Sequence, residues 1–335
     1  RAFRGVEEGA QVEVACAEEG WAGVILYLVG CVAGNYIQLL GLDEQLVVAK
    51  RTLATYAEAV RLFEVRFKYG QVSRMTVEQA RSQYETAAVG IPQIESQIAL
   101  TENALSILLG RNPGPVPRGK TIYQLAVPAV PAGLPSEVLA NRPDIRQAEQ
   151  NLIAANAQIG AAKALYFPTI SLTGAFGYAS SDLSDLFKSP ARAWNYAGSF
   201  AGPIFTGGAV TSQVKQAEAA RKAALFSYEL AIQSAFADAE SSLVSRGKLA
   251  EQVQAQERLV RANSEYVRLA RLQFEGGYSP YSTVLQAEQQ LFPSEINYAQ
   301  YRTSLFISLV NIYKAMGGGW QQEAFEGKKS LSPNG

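Results

Sequence analysis

Histidine is absent from all 335 residues. That removes the commonest general base, the usual metal ligand and any histidine-based nucleophilic triad. Few other residues could do chemistry. Cys16 and Cys31 lie fifteen positions apart in one apolar stretch. That spacing suits neither a zinc site nor a disulfide framework, so two buried thiols are expected. Asp182 and Asp185 share a polar loop with Lys188 and could hold a cation weakly; ordinary solvated loop carboxylates explain them equally well. Gly207-Gly208 precedes a helix but lacks the lysine and spacing of a phosphate loop, so it reads as a strand-to-helix turn. Lys+Arg and Asp+Glu are both 30, and a balanced charge gives no basic face for nucleic acid. No cofactor and no metal is implied. The residues point away from an enzyme, so what the chain's elements position must be surfaces rather than reacting groups.

The elements are set by a repeat. RFKYGQVSRMTVEQA at 66–80 recurs as QFEGGYSPYSTVLQA at 273–287, at a constant offset of 207 residues. The offset runs ungapped from the pair Glu58 and Glu265 to the pair Gly110 and Gly317, so half of the chain repeats the other half. Each copy reads as two helices joined by a tight turn. Gly70 and Gly277 stop the first helix in the left-handed cap conformation. Ser73 is expected to cap the next helix, and Ser279-Pro280 to supply a cap followed by proline at the first helical position. The helix after each turn keeps a 3-4 spacing. In copy one it runs from Val77, Ala80, Tyr84 and Ala87 to Leu105; in copy two, from Val284, Ala287, Leu291 and Ser294 to Ile312. Such a period over four heptads predicts supercoiled packing.

Elsewhere the punctuation is clear. Residues 21–42 carry no charge over 22 positions, enough to span a bilayer, but Asn35 and Gln38 favour a long helix buried among partner helices. Residues 111–140 hold Pro113, Pro115, Pro117, Pro128, Pro131 and Pro135, an extended linker. A helix restarts at Pro143-Asp144, with its seam on Ile145, Ala148, Leu152, Ala155, Ile159 and Ala162, and ends near Phe167-Pro168. The period then changes to two. In 169–178, Ile170, Leu172, Phe176 and Tyr178 share a face with Gly174; in 194–204, Trp194, Tyr196, Phe200 and Ile204 do the same. Small and polar residues fill the opposite face, as in a barrel with lipid outside and water inside. A hairpin packed on a soluble core fits this pattern as well. If the membrane reading holds, several chains must contribute strands, because two strands leave edges that lipid does not tolerate. A helix of some 68 residues follows 205–208, roughly 100 Å at 1.5 Å per residue, a length suited to bridging a gap such as a periplasm. The residues after Trp320 read as a mobile polar tail.

Several segments together resemble the outer-membrane factor family, the TolC-like exit ducts of Gram-negative efflux pumps, close to the branch serving resistance-nodulation-division transporters. They are NYIQLLGLDEQL at 35–46, LLGRNPGPVP at 108–117, NRPDIRQAEQNLIAANAQIGAA at 141–162, YFPTISLTGAFGYASSDLSDLF at 166–187, PIFTGGAV at 203–210 and LVNIYKAMGGGW at 309–320. The resemblance implies a mainly α chain with one membrane β-hairpin. Long antiparallel helical hairpins would form a periplasmic α-barrel, and the strands would join a trimeric outer-membrane β-barrel. It implies the layout 1–110 first helical hairpin, 111–140 equatorial linker, 141–167 helix leading into the barrel, 168–205 β-hairpin, 206–317 second helical hairpin and 318–335 tail. Implied partners are two further copies, a periplasmic adaptor (membrane fusion) protein, an inner-membrane transporter and outer-membrane lipid.

The turn residues Gly70, Val72, Ser73, Gly277, Tyr278, Ser279 and Pro280 resemble the periplasmic tips that meet the adaptor. Glu78, Ser282 and Gln286 fall where the family constricts, and Ile170, Leu172, Phe176, Tyr178, Trp194, Tyr196 and Phe200 on the lipid face. Two departures stand out. The repeat implies another hairpin before Arg1, so the chain reads as an N-terminally truncated member. Gln286 also stands where the family often has an aspartate, so any acidic ring would rest on Glu78 or Glu288. The implied function is a passive exit duct; the alternatives are a soluble coiled-coil scaffold and an inner-membrane protein anchored through 21–42.

Overall fold

The computed structural model describes residues 2–128, 141–181, 183–187 and 192–318. Its helices are α1 (Ala2–Lys68), α2 (Arg74–Leu108), α3 (Pro143–Ala164), α4 (Ala209–Glu275) and α5 (Tyr281–Ala315). Between α3 and α4 lie strands β1 (Thr169–Tyr178) and β2 (Arg192–Ala201). The chain divides into two compact units. One comprises Arg1–Trp21 and Pro143–Gln233, the other Ala22–Arg142 and Ser234–Gly335.

The second unit holds both helical hairpins, and the repeat is visible in its hydrogen bonds. Gly70 N donates to Phe67 O at 2.9 Å and Gln71 N to Arg66 O at 2.9 Å. At the offset positions, Gly277 N donates to Phe274 O at 3.0 Å and Tyr278 N to Gln273 O at 2.8 Å. This is the Schellman closure, which needs a left-handed residue; Gly70 has φ +70° and Gly277 φ +75°. The seam of each hairpin is packed as its spacing requires. Val77, Ala80, Ala87 and Leu105 are buried on α2, and Val284, Ala287, Ser294, Leu305, Ser308 and Ile312 on α5.

The start of α5 differs from the sequence expectation. Ser73 caps α2, its hydroxyl accepting from Thr76 N at 3.4 Å. Pro280, not Ser279, is the N-cap of α5, with extended backbone and no side-chain cap. Proline's fixed φ suits that position, and the first turn closes through the Pro280 carbonyl, which accepts from Thr283 N at 3.1 Å. Ser279 Oγ is buried without a partner.

The apolar N-terminal stretch of α1 is long enough by length and composition to cross a membrane. Its later half instead forms core. Leu39 packs with Leu105 and Val116, and Leu40 with Ile122, Phe306 and Leu309. Cys31 is half-buried rather than buried, as is Cys16, whose thiol donates to Asn151 Oδ1 at 3.3 Å, and neither is in a disulfide.

The first part of the proline-rich segment lies against α1 and α2. Arg118 Nε donates to Asp43 at 2.9 Å, and the same guanidinium pairs with Glu102. Glu102 also accepts from Val116 N at 3.1 Å, and Gly119 N donates to the Tyr36 hydroxyl at 3.0 Å. At the other end of the unit's helices, buried Arg142 donates to Ala315 O at 3.2 Å and pairs with Asp238 at 3.1 Å. That places a cation at the C-terminal end of α5, where the helix dipole favours one. Pro131 and Pro135 of the linker, Asp182 and Lys188 of the loop, and Trp320 with the tail lie outside the described residues.

Candidate functional site

Among the described residues no group of three or more cysteines and carboxylates could hold a metal ion. Two surfaces collect the residues singled out from the sequence, one in each unit.

The β-hairpin belongs to the first unit. β1 and β2 pair antiparallel, with Phe176 opposite Trp194, Gly174 opposite Tyr196, Leu172 opposite Gly198 and Ile170 opposite Phe200. On this face a large side chain faces glycine at two of the four levels, which leaves room for the rings. Trp194 stacks on Tyr196 with centroids 5.7 Å apart, and Phe176 meets Tyr178 edge-on at 6.5 Å. The other face pairs Thr173 with Ala197 and Ser171 with Ser199, whose hydroxyls lie 2.6 Å apart. Every residue of both strands is exposed; beyond the strands, Phe187 of the loop approaches Tyr178 at 5.9 Å between centroids. β2 starts and ends earlier than its alternation suggested: Arg192 extends it, while Ile204 falls beyond its end and is fully exposed. Pairing sets these limits, since Tyr178 opposite Arg192 and Thr169 opposite Ala201 close the ladder.

The two tight turns belong to the second unit, and they are in contact. Phe63 of α1, buried to 1% exposure, packs on Tyr281 of α5 at a centroid distance of 4.1 Å. Phe274 of α4 completes the cluster, 5.4 Å from Tyr281, with Arg66 over its ring at 5.4 Å. Val72 packs against the same group. Gly70, Ser73, Gly277, Tyr278 and Pro280 lie at the surface around it, Tyr278 at 90% exposure. Glu78, Ser282 and Gln286 are exposed on the first turns of α2 and α5.

Glu288 is buried and bound to Arg271 at 2.6 Å, so it cannot stand in for an acidic ring; its other carboxylate oxygen has no partner. Glu78 stays exposed beside Arg74 and Arg81. Arg271 and Glu288 repeat Glu64 and Arg81, which also pair, at 2.8 Å, with the charges exchanged. Burial, then the charge of Glu288, pushes the Tyr56 hydroxyl up to about 12 and raises Tyr281 further. Both phenols therefore stay neutral at any physiological pH.

Phe63, Tyr281, Arg66 and Arg271 form part of this cluster without having been singled out from the sequence, and Glu288 was named there only for an acidic ring. One signal was available: Phe63 and Tyr281 stand where the other copy has Ala270 and Arg74, so they are positions where the repeat breaks.

With this geometry in place, comparison with known proteins is informative. The description "outer membrane efflux protein" belongs to the family that matches residues 6–111 and 134–318. The solvent efflux pump outer membrane protein SrpC of Pseudomonas putida is 37% identical over 320 residues, covering 95% of this chain and 68% of that protein. The cation efflux system protein CusC of Escherichia coli O6:H1 is 35% identical over 327 residues, covering 96% and 70%. A crystal structure of CusC, described in terms of transmembrane channel formation, superposes with a TM-score of 0.87 at 33% identity, covering 95% of this chain and 74% of that one. The family and these relatives are efflux channels rather than enzymes. A mainly helical chain with an exposed aromatic hairpin, matched over most of its length in this way, belongs to the outer membrane efflux protein family and resides in the cell outer membrane, reaching into the periplasm.

Proposed function

We propose that this protein is the passive exit duct of a tripartite efflux pump, carrying substrates from a periplasmic adaptor and an inner-membrane transporter to the outside. The observation that carries the reading is the hairpin. Its seven large apolar residues share one face, the opposite face is small and polar, and every residue of both strands is exposed. In water such a face is a liability; in lipid it is a requirement. Both outer edges of the two-stranded sheet are open, and lipid demands that they be closed by strands from elsewhere. Three copies around a common axis, with strands beyond those described, meet that demand.

On this reading Ile170, Leu172, Phe176, Tyr178, Trp194, Tyr196 and Phe200 meet lipid. The turns around Gly70 and Gly277 are the docking tips, where exposed Tyr69, Met75 and Tyr278 offer apolar contact to an adaptor. Glu78, Ser282 and Gln286 border the constriction, and residues 111–140 act as the equatorial linker between the helical repeats. Polarity of the wall, rather than any reacting group, selects what passes.

Export in cells tests this. Deleting the protein while retaining its inner-membrane transporter is expected to raise sensitivity to pump substrates at least fourfold, and to leave the transporter's own level unchanged. Unaltered sensitivity, with the protein recovered in aqueous extract, would instead support the soluble coiled-coil scaffold.

A further inference from the structure

In the second unit the proline-rich segment takes one side of the helices and leaves the other open. On α1 that segment meets Tyr36, Leu39, Leu40 and Asp43, and on α5 it meets Arg302, Phe306 and Leu309. At about 100° per residue, Gln38, Leu42 and Gln45 project from the opposite side of α1, and Gln300 and Ser304 from the opposite side of α5. There they line a recess of about 260 Å³, together with Thr303 and with Gln97 of α2.

α1 is the floor of this recess, and α2 and α5 are its walls. Gln97 and Ser304 are related by the 207-residue offset, so the two repeats place the same position on either side of α1. Gly41 lets α1 and α5 approach, since a Cβ there would collide with the Thr303 side chain. The Thr303 hydroxyl donates to Ala299 O at 2.7 Å. Gln300 Nε2 donates to Gln45 Oε1 at 3.2 Å, and Gln45 Nε2 to Gly41 O at 3.3 Å. These bonds hold the buried Gln45 and Thr303 in place. The Gln38 and Gln97 amides and the Ser304 hydroxyl make no hydrogen bond among the described residues. Each amide offers two donors and an acceptor oxygen. No lining residue is ionisable, and Leu42 alone is apolar.

A charged solute against such a wall would lose hydration that no opposite charge replaces. An amide or hydroxyl would exchange water for matched partners. The volume lies just below that of ordinary small-molecule sites, roughly 300–1,000 Å³, so the recess has room for one small molecule. We propose that it is a transient binding site for small uncharged solutes bearing amide or hydroxyl groups. This rests on the duct reading: the linkers of several copies cannot fill a passage that must stay open, so they lie outside it and the recess opens into it. The inference goes beyond that reading in naming a solute class and the residues that hold it. Gln38, Gln97 and Ser304 bond the solute, while Gln45 and Gln300 keep the floor rigid.

Benzamide, benzoate and benzamidinium test the site, because they share a shape and differ in charge. Saturation-transfer NMR of the assembled protein in lipid nanodiscs, corrected with empty nanodiscs, should show saturable benzamide binding at least tenfold tighter than either ion. Gln38→Leu with Gln97→Leu should weaken it at least fivefold, while Gln254→Leu, exposed on α4 outside the recess, should change nothing. Gln38→Glu should invert the order, with benzamidinium held at least fivefold better than benzamide. Should the paired leucines fail to assemble, the order of the probes in wild type and in Gln38→Glu still decides. Multi-copy mass and channel conductance of the same samples report the duct separately. If both persist while benzamide fails to saturate, while the three probes bind alike, or while benzamide binding survives the paired leucines, the site is overturned and the duct stands. Benzamide binding that follows the glutamines in a protein of single-chain mass without conductance would overturn the duct and the place of the recess in it.

Discussion

Arg118 shows what a single side chain does here. A proline-rich segment has few backbone donors of its own and cannot fold into a helix. Arg118 holds it in place by reaching Asp43 on α1 and Glu102 on α2, while Glu102 takes the Val116 amide. Burial alone would raise the Glu102 pKa; the Val116 N–H and the Arg118 guanidinium outweigh it and hold the carboxyl below its usual 4.5. A depressed carboxylate contributes stability that is complete above its unfolded pKa and disappears as pH falls through the folded one. Protection of residues 112–127 from pepsin should therefore persist down to the ordinary glutamate range and fade only below it. Glu102→Gln should weaken it by about 1 kcal/mol above the ordinary glutamate range, given that the partners are partly exposed, and by little once pH has fallen below the folded pKa. Equal cleavage of Glu102→Gln and wild type at pH 5 would remove this role.

Two elements are proposed to carry the function, and each can be broken alone. On the hairpin, Phe200→Asp places a charge on the face assigned to lipid, at a cost on the order of 2 kcal/mol near mid-membrane depth. The variant should lose most of its outer-membrane yield, while Ala197→Asp, on the small polar face, should retain it. Equal yields would refute the assignment of faces. At the turns, Gly277 holds φ +75°, where a Cβ costs roughly 1–2 kcal/mol. That strain is too small to undo a hairpin packed along its whole seam. Gly277→Asp should therefore keep the assembled mass and lose export, since the charge and the distorted turn fall where a partner is proposed to dock. Wild-type drug resistance in that variant would take the docking role away from the turn.

Across the whole molecule, how much the sequence revealed depended on whether the information was local. The glycine stops, the 3-4 seams and the strand alternation each lie within one element, and the repeat doubled the stops and the seams that follow them; the stops, those two seams and the alternation reappear in the structure. Contacts between the two hairpins were not legible. Phe63 meets Tyr281 across more than 200 residues, and neither residue repeats in the other copy. The cap of α5 was misplaced by one residue because a serine before a proline favours two alternatives, and the carbonyl of Pro280 settled which one forms. The proposed lipid face was half legible: period two gave the two faces, and the exposure of every residue along both strands had to come from the structure.

The central claim is that copies of this chain enclose a passage, and the measurement closest to it is single-channel conductance of the purified full-length protein in planar bilayers. Discrete, reproducible conductance steps, lost in Phe200→Asp and kept in Ala197→Asp, are the expected result. A membrane that stays silent at every protein concentration, with the protein monomeric and soluble without detergent, would contradict it.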